Sequence, residues 1–135
     1  MTRILIVDDS PTELHVVQTL LERHGYETTT AESGEGGIRA AMEHRPDLIL
    51  MDVVMPGMNG LQATRKLTRN APTANIPVIV VTSKDQETDR IWAMRQGAAD
   101  YLVKPVDESS LIEKIEAQPA AGACLSIPAS SPKAL

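Results

Sequence analysis

Residues 48–60 read Leu48-Ile49-Leu50-Met51-Asp52-Val53-Val54-Met55-Pro56-Gly57-Met58-Asn59-Gly60. Four apolar residues without alternation run into one carboxylate, Asp52, and a Pro-Gly and an Asn-Gly then break the chain. A short continuous apolar run bounded by turn residues is the pattern of a strand buried on both faces, as in a parallel sheet covered by helices. Sheets of that kind place their chemistry just beyond the carboxyl ends of the strands, which is where Asp52 falls. A carboxylate there calls for partners.

Arg3–Val7 is a second such run, ahead of Asp8-Asp9; Pro77–Thr82 is a third, and Asp100–Lys104, ahead of Pro105, a fourth. Glu27–Ala31 is Thr-rich and polar, which suits a sheet edge. Helical patterns lie between. Ser10-Pro11-Thr12-Glu13 predicts a capping box with Pro at the first helical position, a helical stripe of Leu14, Val17, Leu21 and His24, with His24 at the helix end, and Gly25 as the stop. Glu35–His44 predicts a second helix with Ile38, Ala41 and Met42 inward, ending before Pro46. A third runs from Asn59 or Gly60 to Arg69. Ser83–Gln86 has capping-box spacing and opens a fourth, to Gln96, with Ile91, Met94 and Ala98 inward and Trp92 partly exposed. Asp107 caps a fifth carrying Leu111, Ile112 and Ile115, and Pro119 ends it.

Five strands alternating with five helices predict an α/β doubly wound parallel sheet with helices on both faces. Five strands in about 120 residues favour the flavodoxin-like order 2-1-3-4-5. Residues 1–118 then make one domain, and 119–135, rich in Ala, Ser and Pro, read as a poorly packed tail.

Composition narrows the function. No apolar run exceeds about five residues, far short of the roughly 20 that span a bilayer, and the N-terminus lacks a basic, signal-like segment. The single cysteine, Cys124, cannot close an internal disulfide, so a cytoplasmic, reducing compartment is expected. A net charge of −5 with scattered Lys and Arg argues against nucleic acid as a partner. His15, His24 and His44 lack metal-ligand spacing.

The carboxyl ends of the strands carry Asp8-Asp9, Asp52, Thr82 and Lys104, and in the order 2-1-3-4-5 they share one rim. Several carboxylates at one site repel one another and stay ionised only with a cation among them. An all-oxygen set suits Mg²⁺ or Mn²⁺. A hydroxyl and an ammonium beside that ion are what a phosphoryl group needs. Together they describe phosphoryl transfer to an aspartate.

Asp8-Asp9, Asp52 with Met55-Pro56-Gly57 and Gly60, Thr82-Ser83, and Lys104-Pro105 resemble the signature of the CheY-like response-regulator receiver domain of two-component systems, over residues 3 to about 118. The resemblance implies that Asp52 is the phosphoacceptor, served by a histidine kinase or histidine phosphotransfer domain. It implies Asp9, Asp52 and the Val54 carbonyl as Mg²⁺ ligands, with Asp8 acting through water. Thr82, Ser83 and Lys104 would bind the phosphoryl group, the Lys104–Pro105 bond would be cis, and Thr82 with Tyr101 would form a switch, Tyr101 moving inward. Arg90, Met94, Tyr101, Val103 and Lys114 would form the output face. Such a protein is a phosphoacceptor switch rather than an enzyme with its own catalytic domain. Ser10–Glu13, residues 84–89, Trp92 and Arg95–Ala98 further resemble stand-alone receivers of type IV pilus twitching, which implies a downstream motility protein. The end of the last helix at Pro119 departs from the family, whose members continue with apolar residues.

Blander readings stand beside these. Asp52 alone could be a strand-end cap, Thr82 an ordinary β-branched strand residue, Lys104 a solvated lysine and Tyr101 plain core; it is their conjunction that lifts them. Gly34-Glu35-Gly36-Gly37 lacks phosphate-loop spacing and reads as a turn. A haloacid-dehalogenase-type phosphatase also uses a strand-end aspartate, but it carries a second aspartate where this chain has Val54. A pseudo-receiver scaffold is the remaining alternative.

Overall fold

The computed structural model describes residues 2–83 and 87–118, with the backbone alone for residues 87–89. The strands are β1 (Arg3–Val7), β2 (Glu27–Ala31), β3 (Leu48–Asp52), β4 (Val78–Thr82) and β5 (Asp100–Val103). Between and after them run α1 (Pro11–Arg23), α2 (Gly34–His44), α3 (Gly60–Arg69), α4 (Glu87–Arg95) and α5 (Glu108–Glu116). All pairings are parallel and the strand order is β2-β1-β3-β4-β5, as expected from the sequence. Central β3 and β4 are buried at every position, whereas edge strand β2 exposes Glu27, Thr29 and Thr30.

The two-residue period of a strand assigns each side chain to a layer. Leu5, Val7, Ile49, Met51, Val78 and Val80 pack with Ala41 of α2, Leu67 of α3 and Ala93 of α4. Ile4, Ile6, Leu48, Leu50, Ile79 and Val81 pack on the other face with Leu14 and Leu21 of α1 and Leu111 and Ile115 of α5. Each such side chain contributes about 1.5–3 kcal/mol on burial, so shifting any strand by one residue would be prohibitive. The register that results also fixes which way the residues at and just past the strand ends point.

The helices depart from expectation in several places. At α1, Ser10 Oγ accepts from the Glu13 amide at 3.3 Å, but the Ser10 amide donates to Asp8 Oδ1 at 2.9 Å, so the capping box is half made. The buried residues of α1 are Leu14 and Leu21, while His24 takes its expected helix-end position as the exposed C-cap and pairs with Glu108 across to α5. Gly34–Gly37 is no free turn but the first turn of α2, capped by Ser33, whose Oγ accepts from Gly36. Gly37 is required there, because a Cβ would lie 2.8 Å from Val7 Cγ2. Met42, expected inward, is exposed, since Gly34, Gly37 and Ala41 form the close-packed side of α2.

Helix α4 is turned as well. Among its described side chains Ala93 is the buried one, whereas Ile91 and Met94, expected inward, are 43% and 47% exposed beside Trp92 at 54%. Residues 91 and 94 lie about 200° and 100° around the helix from Ala93, so a helix seated on its alanine leaves both outside. The Ser83–Gln86 capping box and the 119–135 tail, Pro119 included, lie wholly or partly outside the described residues.

Candidate functional site

Strand alternation continued past the ends sorts the rim into two sides. Asp8 follows Ile4 and Ile6, Asp52 follows Leu48 and Leu50, Lys104 follows Leu102, and Ser83 follows Ile79 and Val81, all toward α1 and α5. Thr82 follows Val78 and Val80 toward the opposite layer, which also holds Tyr101 and Val103. Thr82 and Val103 are partners in the β4–β5 register.

On the first side, Lys104 Nζ lies 2.8 Å from Asp52 Oδ1, 2.5 Å from Glu13 Oε1 and 3.5 Å from Asp8 Oδ2. Asp8 and Asp52 are buried and Asp9 is exposed, yet one carboxylate oxygen of each lies within 4.8 Å of the others. A cavity of about 580 Å³ opens on Asp8, Glu13, Asp52, Ser83 and Lys104 and is otherwise lined by aliphatic groups such as Val16 and Val106. The Lys104–Pro105 peptide is cis, and the Lys104 amide donates to the Thr82 carbonyl at 2.7 Å.

The loop after β3 is tied to the same place. A Cβ on Gly60 would lie 2.0 Å from the Asp52 carbonyl oxygen, so only glycine allows α3 to start this close to the strand end. The Gly60 amide donates to the Val53 carbonyl at 2.8 Å, and Asn59 with Gln62 forms a complete capping box. Gly57 turns the loop at φ +76°, and Met55 is buried in the core while the Val54 side chain is exposed.

Among the described residues, the Lys104 ammonium does not offset the buried carboxylates of this rim. Burial pushes the Asp8 carboxyl up to about 6, against the pull of the Ser10 amide and with the Asp52 charge adding to the rise. Burial also raises Asp52, although Lys104 opposes it. Burial alone would depress the Lys104 ammonium, but hydrogen bonds to Asp52 and Glu13 and the charges of Asp52 and Asp8 outweigh it and hold the group above its ordinary range. The Lys104 hydrogen bond lowers Glu13. A trio of oxygen donors short of compensating charge fits a hard divalent cation.

Glu13 is the residue that sequence reading missed. Its position suggested a cap, and the partner that takes it away lies 91 residues along the chain. A first-turn acid on the helix that directly follows Asp8-Asp9 was the available signal. Arg90, Met94, Tyr101, Val103 and Lys114, expected from the resemblance at an output face, all line a groove of about 420 Å³ between α4, β5 and α5. Tyr101 is already buried, with the Arg90 guanidinium 5.3 Å from its ring centre, and Lys114 pairs with Asp100 at 3.1 Å.

A parallel sheet in this order with an acidic, lysine-bearing rim is the architecture of CheY-like signalling modules. Solved structures agree. Chemotaxis protein CheY4 of Vibrio cholerae matches with a TM-score of 0.82 at 28% identity, covering 87% of this chain and 98% of that one. A CheY-like receiver domain protein of Methanospirillum hungatei matches at 0.80 and 30% identity, covering 87% and 92%. The chain belongs to the response regulator receiver domain family, whose model matches residues 4–116. Among its relatives, Protein PilH of Pseudomonas aeruginosa is 58% identical over 117 residues, 87% of this chain and 97% of that protein. Response regulator PleD of Caulobacter vibrioides is 39% identical over 113 residues, 84% of this chain but 25% of PleD. With the family established, the haloacid-dehalogenase reading falls away. Among the described residues no helix is long and apolar enough to cross a membrane.

Proposed function

We propose that this response regulator is switched by phosphorylation of Asp52, with a histidine kinase or histidine phosphotransfer domain as donor, in the cytoplasm. The observation that carries the reading is Lys104 Nζ at 2.8 Å from Asp52 Oδ1, inside a trio of aspartates whose oxygens lie within 4.8 Å of one another. An Asp52 oxygen attacks phosphorus, the bond from phosphorus to the donor nitrogen breaks, and an acyl phosphate remains. Asp8, Asp9, Asp52 and the Val54 carbonyl would hold Mg²⁺ (or Mn²⁺), which when bound neutralises charge developing on the phosphoryl oxygens. Lys104 and Ser83 bind those oxygens from the cavity side. Thr82 answers from the other layer, which couples the site to Tyr101 and the α4–β5–α5 groove.

The likeness to PilH supports an output in type IV pilus twitching or a chemotaxis-like motility system, delivered by protein–protein contact through that groove. The test is acid-labile phosphate uptake from acetyl phosphate with Mg²⁺. Wild type takes up one phosphate, and Asp52→Asn takes up none. Equal labelling of the variant would move the acceptor elsewhere, and a wild type indifferent to both Mg²⁺ and acetyl phosphate would favour the scaffold reading.

A further inference from the structure

Among the described carboxylates of the rim, Asp8, Asp9 and Asp52 have a role in phosphoryl transfer to Asp52, and Glu13 has none. Yet Glu13 Oε1 is nearer to Lys104 Nζ, at 2.5 Å, than Asp52 Oδ1 at 2.8 Å or Asp8 Oδ2 at 3.5 Å. Helix α1 fixes it there. Pro11 opens the helix, Ser10 caps it through the Glu13 amide, and the Ser10 amide is taken by Asp8, so the Glu13 side chain has left its local cap for the lysine.

An ammonium has three donors; here Glu13 and Asp52 accept from it, and Asp8 lies 3.5 Å away as a third negative charge. A phosphoryl group on Asp52 brings further acceptor oxygens and a charge near −2. It also converts Asp52 from a carboxylate into a neutral acyl carbon bearing the phosphate, which ends the direct Asp52–Lys104 ion pair. Asp8 and Asp9 would then serve a bound divalent cation. Among the described residues, the carboxylate left to contest the lysine with the phosphoryl group is Glu13.

The geometry points to Glu13 as a positioning residue of the phosphoryl site: its carboxylate holds the Lys104 ammonium at the mouth of the rim and competes for it with the phosphoryl group on Asp52. This role rests on Asp52 being the phosphoacceptor. Its consequences have opposite signs. A negative charge beside the aspartate trio favours a divalent cation and disfavours a bound anion. Removing it should therefore weaken Mg²⁺ and tighten a phosphoryl mimic, whereas a purely structural contribution would weaken both or neither.

The experiment titrates the full chain, as wild type, Glu13→Gln and Glu13→Asp, first with Mg²⁺ by calorimetry and then with trifluoroberyllate at saturating Mg²⁺ by ¹⁹F NMR. Glu13→Gln is expected to raise the Mg²⁺ Kd about three- to tenfold and to lower the trifluoroberyllate Kd by about the same factor, the scale of one charge at a partly screened site. Glu13→Asp keeps the charge but is a methylene short of the lysine. It should keep Mg²⁺ affinity within about twofold of wild type and still bind the mimic more tightly. Any other pattern in either variant overturns the competition. A wild type that binds no trifluoroberyllate overturns the phosphoacceptor reading and this role with it. A wild type that binds it beside an indifferent Glu13→Gln overturns the Glu13 role alone.

Discussion

The Lys104 ammonium is 2.8 Å from Asp52 Oδ1 and 3.5 Å from Asp8 Oδ2, so one cation serves two buried carboxylates. Neither carboxyl reaches its ordinary acidity, because burial outweighs what the lysine returns. Among the described groups the rim is thus short of positive charge, the condition in which a divalent cation has most to contribute.

The pH dependence of the metal-free protein follows from Asp8. Its carboxyl titrates at about 6 when folded, against an ordinary value of 3.8. Between those values the folded state holds a proton that the unfolded chain has lost, so stability falls as pH rises from about 4 to about 6 and levels off above. Asp52 is raised as well and acts in the same direction. The elevated lysine keeps its charge throughout this window. Asp8→Asn retains the acceptor for the Ser10 amide and removes the buried charge. It should raise metal-free stability at pH 7.5 by about 1–2 kcal/mol and flatten the pH profile. It should also blunt the gain in stability on adding Mg²⁺, which in wild type fades as pH drops below about 6. Urea denaturation across pH with a chelator, repeated with Mg²⁺, checks all three; a destabilised variant would contradict the burial argument.

Gly60→Ala tests how the loop serves the site. The new methyl would meet the Asp52 carbonyl at 2.0 Å, and the obstacle is backbone that cannot swing aside. A loss of about 3 kcal/mol or more is expected in urea unfolding. At temperatures where the variant remains folded, a smaller Mg²⁺ response should accompany it, because α3 must back away from the strand end. Unchanged stability would mean that the β3–α3 connection is looser than this approach implies.

The groove between α4 and α5 offers the third test. Arg90 and Met94 line it beside Tyr101, and Met94 is 47% exposed. Arg90→Glu combined with Met94→Lys should reduce capture of the output partner by trifluoroberyllate-loaded protein at least about tenfold. Phosphate uptake on Asp52 should stay at the wild-type level. Capture from a motile cell extract, with Asp52→Asn as the unloaded reference, measures the first, and acid-labile phosphate the second. Undiminished capture would place the output surface elsewhere on the molecule.

Much of the molecule could be read from the chain because the deciding signals are local. The unbroken runs Ile4–Val7, Leu48–Met51 and Val78–Val81 specify strands buried on both faces, and the acids, hydroxyl and lysine that follow them fall on one rim once the strand order is set. Gly25 and Gly97, both at positive φ, end α1 and α4 as their positions suggest. What the chain could not declare depends on residues far apart in sequence. Glu13 looks like half of a capping box until folding brings Lys104 to it, and an ion pair across that separation outcompetes a local hydrogen bond. The facing of α4 was also invisible, because Ile91 and Met94 make a better stripe on paper than Ala93, while close seating on the sheet favours the small residue. Local patterning was enough to determine that Asp52 stands at a strand end among other polar groups. Only tertiary packing decided that a single lysine is shared by Asp52, Asp8 and Glu13, because charge balance belongs to the assembled rim and to no segment of the chain.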